Sequence, residues 1–377
     1  MMQNRVCELL GIEFPILAFS HCRDVIAAVT NAGGFGVLGA VAHSPEQLEI
    51  DLAWIEEHVK GRPYGVDLLL PAKYAGAEEG GHDRNAVRAL LPPEQQAFVD
   101  DILKRYEVPP LTDEDTRRGG GLNISPDGYG PLLDVAFAHD VKLIASALGA
   151  PPPDLITRAH ASGVAVAALA GRASHAVRHQ AAGVDLIVAQ GGEAGGHTGE
   201  ISTMVLVPEI VDAVAPTPVL AAGGIASGRQ MAAAMALGAE GVWCGSVWLT
   251  TEEAETHPVV KQKFLAATSS DTIRSRSLTG KPARMLRSAW TEEWEREDAP
   301  APLAMPLQSA LVAEAQSRIA RSSHHEGTGA NKLANYFVGQ VVGQMDTIKP
   351  ARQVVLDMMT EYADVVGRFA QEAADAT

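Results

Sequence analysis

Short apolar runs that alternate with capped, amphipathic stretches constrain the fold of this chain more than any other feature. Runs that are apolar throughout are typical of strands buried on both faces, as in a parallel sheet. Eight of them predict strands, at positions 15–19, 35–38, 64–70, 142–146, 164–169, 185–189, 218–221 and 241–244. Helices are predicted between most of these strands; Ser44, for example, can cap a helix that has Pro45 in its first turn. Eight strand–helix units within about 250 residues predict an α/β fold, the (β/α)8 TIM barrel.

A doubly wound open sheet is the alternative architecture for such an alternation. That fold carries its glycine-rich phosphate turn after the first strand. In this chain the glycine-rich turns follow the sixth and seventh predicted strands instead. The position of these turns therefore favours the barrel.

The predicted barrel occupies residues 1–250, with an insertion at 71–123 after the third strand. The insertion is polar, charged and rich in glycine, and only one helix, at 93–106, is predicted within it. A long segment of this kind can be a lid or an interaction arm, or a plain solvent-exposed excursion, and the sequence leaves these readings open. Residues 251–377 are predicted to form a mainly helical segment that packs on the barrel.

Charge and composition exclude several classes of function. The formal net charge of −16 argues against a nucleic-acid partner, which requires clustered Lys and Arg. The N-terminus lacks the apolar run of a signal peptide, and no stretch approaches 18 uninterrupted apolar residues, so we expect a cytoplasmic protein with no membrane partner. The 3 cysteines predict no disulfide framework, and no metal site is predicted because zinc-type spacings are missing. Whether the chain forms a homodimer stays open.

The glycine-rich loop at 190–199 is the strongest candidate for a catalytic site. It follows a buried strand directly and carries Gln190, Glu193 and His197 among its glycines. Glycine is used where the backbone must come close to a ligand or adopt positive φ. Imidazole can act as a base near neutral pH, so His197 is the candidate catalytic residue, with a buried structural histidine as the alternative. We expect Glu193 to orient the loop or His197 rather than to react itself.

Two further loops have the character of a phosphate site. Gly223 and Gly224 follow the seventh predicted strand, and Gly245 and Ser246 follow the eighth. In TIM barrels the loops after strands seven and eight commonly bind phosphate through backbone N–H groups and a helix N-terminus. Glycines that simply turn corners are the alternative, but the occurrence of both loops together favours phosphate binding.

These loops, taken together, resemble the nitronate monooxygenase family, formerly called 2-nitropropane dioxygenases. The resemblance rests on the strings QGGEAGGHTG (190–199), AAGGI (221–225) and GAEGVWCGS (238–246). It extends to GIEFPI (11–16), NAGGFGVLG (31–39), GVDL (65–68), LTGKPAR (278–284) and the segment near 338–344. Apart from the insertion, it covers nearly the whole chain.

The resemblance implies an FMN-dependent barrel that oxidises nitronates or nitroalkanes with O2. His197 matches the catalytic histidine of the family, which would remove the α-proton of a nitroalkane or hold the anionic substrate. The same superfamily contains enoyl reductases of the FabK type and acyl-CoA oxidoreductases, so an NAD(P)H-linked or dehydrogenase reaction on an acyl-CoA or enoyl thioester is the alternative. The residues that the resemblance assigns to the cofactor are Ala18, Phe19, Ser20, Asp67, Gln190, Gly195, Gly196, Gly223, Gly224, Gly245 and Ser246.

The chain departs from the family pattern at two places near the expected flavin. Where the family has Gln-Ala-Pro-Met, residues 18–21 read Ala-Phe-Ser-His. His21 is therefore a second candidate acid, base or substrate-binding group, and the alternative is a backbone contact with an incidental side chain. Asp67 replaces the usual Asn, and as a carboxylate it would disfavour an anionic reduced ring unless paired, for example with Lys73. These changes, together with the insertion at 71–123, indicate a divergent subgroup and leave open a bulkier substrate such as an acyl-CoA.

Basic residues cluster shortly before the acidic run at 292–298. They can bind a substrate phosphate or pair with that run, and we slightly favour the pairing. The cluster comprises Arg274, Arg276, Lys281, Arg284 and Arg287.

Overall fold

The computed structural model describes residues 4–70, 90–111, 126–147 and 149–375, so most of the predicted insertion and Lys73 lie outside the described residues. Eight parallel strands close into a barrel, which confirms the predicted fold. The barrel strands are β1 (Ile16–Ser20), β2 (Phe35–Gly39), β3 (Gly65–Leu69), β4 (Leu143–Ala147), β5 (Ala165–Ala170), β6 (Leu186–Gln190), β8 (Val219–Ala222) and β9 (Gly241–Cys244). The short strand β7 (Gly196–His197) follows β6 along the chain but lies outside the barrel, so β6 pairs with β8, and β9 closes onto β1.

Side chains on the strands alternate between the barrel interior and the layer beneath the helices. In β1, Leu17 belongs to the inner cluster, whereas Ile16 and Ala18 belong to the outer one. The inner cluster is filled mainly by Leu17, Phe35, Val37, Leu143, Ala145, Ala165, Ala167, Leu186, Val188, Leu220, Ala222 and Trp243. The barrel is therefore a packed core, and a ligand can only lie at its rim.

The helices cover the outside of the barrel and build the region beyond it. In the described part of the chain the α-helices are α1 (Arg5–Leu10), α2 (Arg23–Asn31), α3 (Pro45–Val59), α4 (Pro93–Arg105), α5 (Pro126–Ala138), α6 (Pro153–Ala161), α7 (Ala173–Ala182), α8 (Thr203–Val214), α9 (Gly228–Ala236), α10 (Pro258–Ala266), α11 (Ala289–Trp294), α12 (Leu307–Ser322), α13 (Gly329–Leu333) and α14 (Ala351–Asp375). The helix predicted at 93–106 is thus observed as α4. None of the helices of the described residues is both long and apolar enough to cross a membrane.

A small antiparallel sheet, which the sequence patterns did not predict, joins the loop after β6 to the C-terminal region. It has the order β10–β11–β7, with β7 (Gly196–His197), β10 (Thr272–Ser275) and β11 (Ala283–Leu286). His197 lies opposite Ala283 in this sheet. The candidate catalytic histidine is thus held by a segment far away in the sequence.

The C-terminal region packs in two different ways. Residues of α10 to α13 form a second hydrophobic cluster together with α4, around Phe264, Trp290 and Leu333. Helix α14 belongs to the main cluster instead, through residues such as Val355 and Met358.

Candidate active site

The predicted site residues lie on one continuous arc of the barrel rim. The pairing order β6–β8–β9–β1–β2–β3 brings the C-terminal ends of these six strands side by side. Along the arc, in that order, come Gln190, Gly223 and Gly224, Gly245 and Ser246, residues 18–21, Gly39 and Asp67. Loops at this end of the strands carry the active sites of TIM barrels.

Backbone donors without protein acceptors mark the part of the arc formed by β8 and β9. The N–H groups of Gly223, Gly224, Gly245 and Ser246 donate no hydrogen bond to any residue that the structure describes. Gly223 and Gly224 have φ of +92° and +74°, a left-handed backbone that side chains other than glycine rarely adopt. Ser246 begins a short 3-10 helix, Ser246–Thr250, whose first N–H groups have no partner within the helix. Two neighbouring loops therefore offer free amides, as an anion site requires.

Open space accompanies these donors at Gly245. A Cβ added to this glycine would approach only Phe19 Cδ1, at 3.9 Å, so the backbone is accessible on that side. The Ser246 hydroxyl accepts a hydrogen bond from the Gly339 N–H at 2.8 Å and keeps its own hydrogen for another acceptor. The segment near 338–344 thus reaches the same loop.

Glu193 is engaged in holding the loop together. Its carboxylate accepts hydrogen bonds from the Thr203 N–H at 2.9 Å and the Thr203 hydroxyl at 3.0 Å, at the start of α8. A carboxylate at a helix N-terminus is favoured by the helix dipole. The Glu193 carbonyl also accepts from the Gln340 N–H at 2.9 Å. Glu193 therefore ties the loop to Thr203 and to the segment near 338–344, and its role in orienting His197 stays a prediction.

Gly195 and Gly196 have different surroundings although they are neighbours. A Cβ on Gly195 would lie 2.8 Å from Gly339 N, so glycine allows the two backbones to touch. Gly196 has φ of +73°, and a Cβ there would meet nothing within 4 Å. Of the two, Gly196 is therefore the one with space for a ligand.

The His197 ring is oriented by Thr279. The His197 Nε2 lies 2.8 Å from Thr279 Oγ1, and the same hydroxyl lies 3.2 Å from the Lys281 carbonyl. Because a carbonyl only accepts, both contacts are satisfied when the hydroxyl donates to the carbonyl and the ring Nε2–H donates to the hydroxyl. His197 Nδ1 then keeps its lone pair and can accept a proton.

The half-buried His197 is neutral at physiological pH. Burial, together with the positive charge of Lys281, lowers the pKa of His197 to about 4. A neutral ring can serve as a base, but it lacks the positive charge that would attract an anionic substrate, which is the other role that the resemblance implies for His197. The cationic group beside it is the Lys281 ammonium, although desolvation by burial lowers the pKa of Lys281 from its ordinary value.

His21 is the second imidazole at the rim. Its Nδ1–H donates to the Gly39 carbonyl at 2.8 Å, which leaves the Nε2 lone pair available. The ring is exposed to solvent and packs edge-on against Phe19, with 5.2 Å between ring centroids. Phe19 in turn stacks on Trp243. Ala18 is buried in the outer layer, so only its backbone can face the rim.

Asp67 is a buried carboxyl on the inner face of the barrel. Val66 and Leu68 belong to the outer cluster, so the Asp67 side chain between them points inward. Desolvation by burial raises the pKa of Asp67 to about 8. The side chain is therefore mostly protonated at pH 7, and the repulsion expected from a carboxylate beside flavin does not arise. A protonated carboxyl can donate a hydrogen bond, as the amide of the usual Asn can.

The basic cluster does not pair with the acidic run as expected. Among the described ion pairs, Glu293 binds Arg105 and Arg296, and Asp298 binds Arg296. Arg274 and Arg284 donate instead to the carbonyls of Thr198 and Gly192. The arginines therefore fasten the loop that carries His197.

Sequence reasoning did not assign a role to several residues that surround His197. Thr279 belongs to the string LTGKPAR, which carries part of the family resemblance, and no local pattern marks it as a partner of His197. Lys281 of the same string is predicted only as a member of the basic cluster, to bind a substrate phosphate or to pair with the acidic run. Phe337 approaches the His197 ring to 6.2 Å between centroids, and Tyr336 packs against Phe337. These residues come from parts of the chain that local patterns cannot connect to the loop.

Comparisons with known proteins show which family this chain resembles. The sequence model described as nitronate monooxygenase matches residues 3–361. A putative monooxygenase of Mycobacterium tuberculosis is 71% identical over 369 residues, covering 98% of both chains. The solved structure of a nitroalkane oxidase from Streptomyces ansochromogenes matches with a TM-score of 0.79 and 26% identity, over 97% of this chain and 100% of that one. FabK from Thermotoga maritima matches with a TM-score of 0.73 and 29% identity, over 99% of this chain and 100% of that one.

Proposed function

The chain belongs to the nitronate monooxygenase family and is an oxidoreductase, and we propose that it binds FMN and oxidises nitronates or nitroalkanes with O2. One observation carries this proposal: free backbone amides on two neighbouring loops lie on the same rim that leads to the His197 loop. Such a rim fits a ligand with a phosphate at one end and a reactive group at the other.

The residues present fit FMN. The amides of Gly223, Gly224, Gly245 and Ser246 would hold its phosphate, and the open side of Gly245 leaves room for it. Inward-pointing Phe19, Asp67 and Gln190 would lie under the ring system. When bound, FMN supplies the redox chemistry, taking electrons from the substrate and passing them to O2.

His197 would handle the proton of a neutral nitroalkane. Its Nδ1 lone pair would accept the proton from the carbon next to the nitro group, and the electron pair of the broken C–H bond would remain on the substrate as a nitronate. Thr279 keeps the ring in the tautomer that makes this transfer possible. A substrate supplied as the nitronate needs no proton removal, so it should depend less on His197.

A His197→Asn variant tests this assignment. Oxidation of a neutral nitroalkane should fall by about 100-fold or more, the usual contribution of a general base. FMN content, read from the yellow absorbance of the purified protein, should stay unchanged. In the wild type, titration of His197 should cause no change in kcat/KM between pH 6 and 8, because the pKa of His197 is about 4.

His160→Asn is a suitable control, because His160 is exposed and pairs with Asp185 at the end of the barrel where the strands begin. This variant should retain full activity. Unchanged nitroalkane oxidation in His197→Asn would refute the base assignment, and a colourless wild-type protein that cannot be reconstituted with FMN would refute the cofactor.

A flavin-dependent oxidoreductase acting on an acyl-CoA or enoyl thioester is the second candidate. It is favoured by the similarity to FabK, at 29% identity over 99% of this chain. Anaerobic mixing of the holoprotein with a nitronate, with NADPH and with an acyl-CoA in separate experiments distinguishes the two. Rapid bleaching of the flavin by NADPH or acyl-CoA alone would favour the second candidate.

A further inference from the structure

Lys281 differs from the other basic residues around the His197 loop because its ammonium group is unpartnered. It is half-buried, and within the described residues its Nζ makes no hydrogen bond or ion pair, whereas the side chains of Arg274, Arg276 and Arg284 all donate to backbone carbonyls. Withdrawing an ammonium from water without a partner is unfavourable. A partner that binds from solution would offset this cost.

The backbone places Lys281 next to the reacting imidazole. Its N–H and its carbonyl both lie within hydrogen-bond distance of the Thr279 hydroxyl that orients His197, at 3.4 and 3.2 Å. The charge of Lys281 also acts on the His197 ring, whose pKa it lowers. Arg274 pairs with Arg284 in the small sheet, and Arg284 directly follows Ala283, the partner of His197. Because neighbouring residues of a strand point to opposite faces, both arginine side chains lie on the face opposite to His197.

We propose that Lys281 binds the negatively charged group of the substrate, so that the site beside His197 selects small oxyanions such as a nitronate or a carboxylate. This inference rests on the proposed function, because it takes His197 as the group that faces the substrate. A single lysine suits a group with one negative charge, whereas a phosphate would call for more donors.

The arrangement would also make the proton transfer more favourable. Lys281 would stabilise the anion that forms when a neutral nitroalkane loses its proton. The same anion, once bound, would raise the pKa of His197, because it favours the protonated ring. The low pKa of His197 in the free enzyme is therefore compatible with a role of His197 as the base.

Nitrite and acetate are suitable probes, because each is a small oxyanion with one negative charge. The holoprotein is titrated with each at constant ionic strength, and binding is followed by flavin difference spectra and by calorimetry. Lys281→Met should weaken nitrite and acetate binding at least tenfold, and Lys281→Arg should restore it to within about threefold. Lys349→Met, which removes an exposed lysine paired with Asp357, should leave binding unchanged.

A second readout reports on the charge directly. In Lys281→Met, the pKa of His197 measured by NMR of labelled histidine should rise above that of the wild type, because one of the two causes that lower it is removed. An unchanged pKa, or wild-type anion affinity in Lys281→Met, would overturn the proposal. Competition by inorganic phosphate but not by nitrite or acetate would overturn the preference for small oxyanions.

The experiments distinguish a failure of the role proposed for Lys281 from a failure of the proposed function. If the protein binds nitrite through Lys281 but does not oxidise nitronates, the anion site stands and the assigned reaction fails. If it oxidises neutral nitroalkanes but binds no small anion, the reaction stands and the role of Lys281 fails.

Discussion

Asp67 places an ionisable group among the apolar side chains that fill the barrel interior. Its exposed fraction is only 6%, and burial raises its pKa to about 8. The unfolded chain binds a proton at this carboxyl less tightly than the folded chain does. The free energy of unfolding therefore decreases as the pH rises from about 4, the ordinary pKa of Asp, to about 8.

We predict that Asp67→Asn stabilises the protein at high pH. The gain in free energy of unfolding should be on the order of 2–5 kcal/mol at pH 8 and should shrink towards pH 4, because Asn carries no charge in either state. Urea unfolding with FMN in constant excess measures this difference. Asp100→Asn, at an exposed position of α4, should show no such trend, and equal stability of Asp67→Asn and wild type at both pH values would contradict the prediction.

The sequence predicts His197 as the catalytic candidate, but it does not predict which residues contact the His197 loop. A histidine in a glycine-rich loop after a buried strand is a local pattern, and the resemblance supports it. Thr279 and Lys281 reach the loop only because β11 pairs with β7, and strand β7 is two residues long. A strand of two residues leaves no periodicity to detect, so this contact could not be predicted.

At the scale of elements, α9 and α14 come unusually close at Gly228. A Cβ on this residue would lie 2.1 Å from the Met358 carbonyl oxygen and 2.3 Å from Tyr362 N. The Gly228 N–H also donates to the Glu361 carboxylate at 2.8 Å, so α14 supplies a cap for α9. The last helix is thereby fixed to the barrel by backbone contact as well as by apolar packing.

Gly228→Ala should therefore destabilise the protein by about 1–3 kcal/mol, because the two backbones must move apart to accept the methyl group. Gly367→Ala is the matched control on α14, since its Cβ would meet nothing within 4 Å. That change should instead stabilise the helix by about 0.5–1 kcal/mol. Thermal unfolding of both variants checks the prediction, and a shift of the same sign in both would contradict it.

The barrel elements were predictable because their sequence patterns are local. All eight predicted strands are observed, with ends that shift by at most a few residues, since continuous apolar runs and capping residues mark them. The strands β10 and β11 escaped prediction because each has four residues and mixed polarity. Their pairing depends on tertiary contacts, which short patterns do not encode.

Considered as a whole molecule, the chain joins α4 to the C-terminal region through a buried carboxylate. Glu293 accepts two hydrogen bonds from Arg105, both at 2.7 Å, and others from Tyr106 and Arg296. These donors lower the pKa of Glu293 to about 2. The stabilisation that results is present above pH 4.5 and is lost as the pH falls from 4.5 towards 2.

Glu293→Gln should weaken this connection by on the order of 1–3 kcal/mol at pH 7, a cautious value because Arg105 is partly exposed to solvent. The difference from the wild type should shrink as the pH approaches 2. Hydrogen exchange of the α4 amides should be faster in this variant, whereas the barrel strands should keep their protection. Glu292→Gln, at the exposed neighbouring position, should exchange like the wild type; equal exchange in both variants would contradict the role of Glu293.

The distance along the chain between these partners has a consequence for synthesis on the ribosome. Arg105 and Glu293 are separated by 188 positions. At about 5–20 residues per second, roughly ten to forty seconds pass between the emergence of one and of the other. For most of that interval Val99, Ile102 and Leu103 on the apolar face of α4 lack the greater part of their later cluster, because its members other than nearby Leu91 and Val108 begin only at Val260. Newly made chains should therefore depend on chaperones until the final third has been translated.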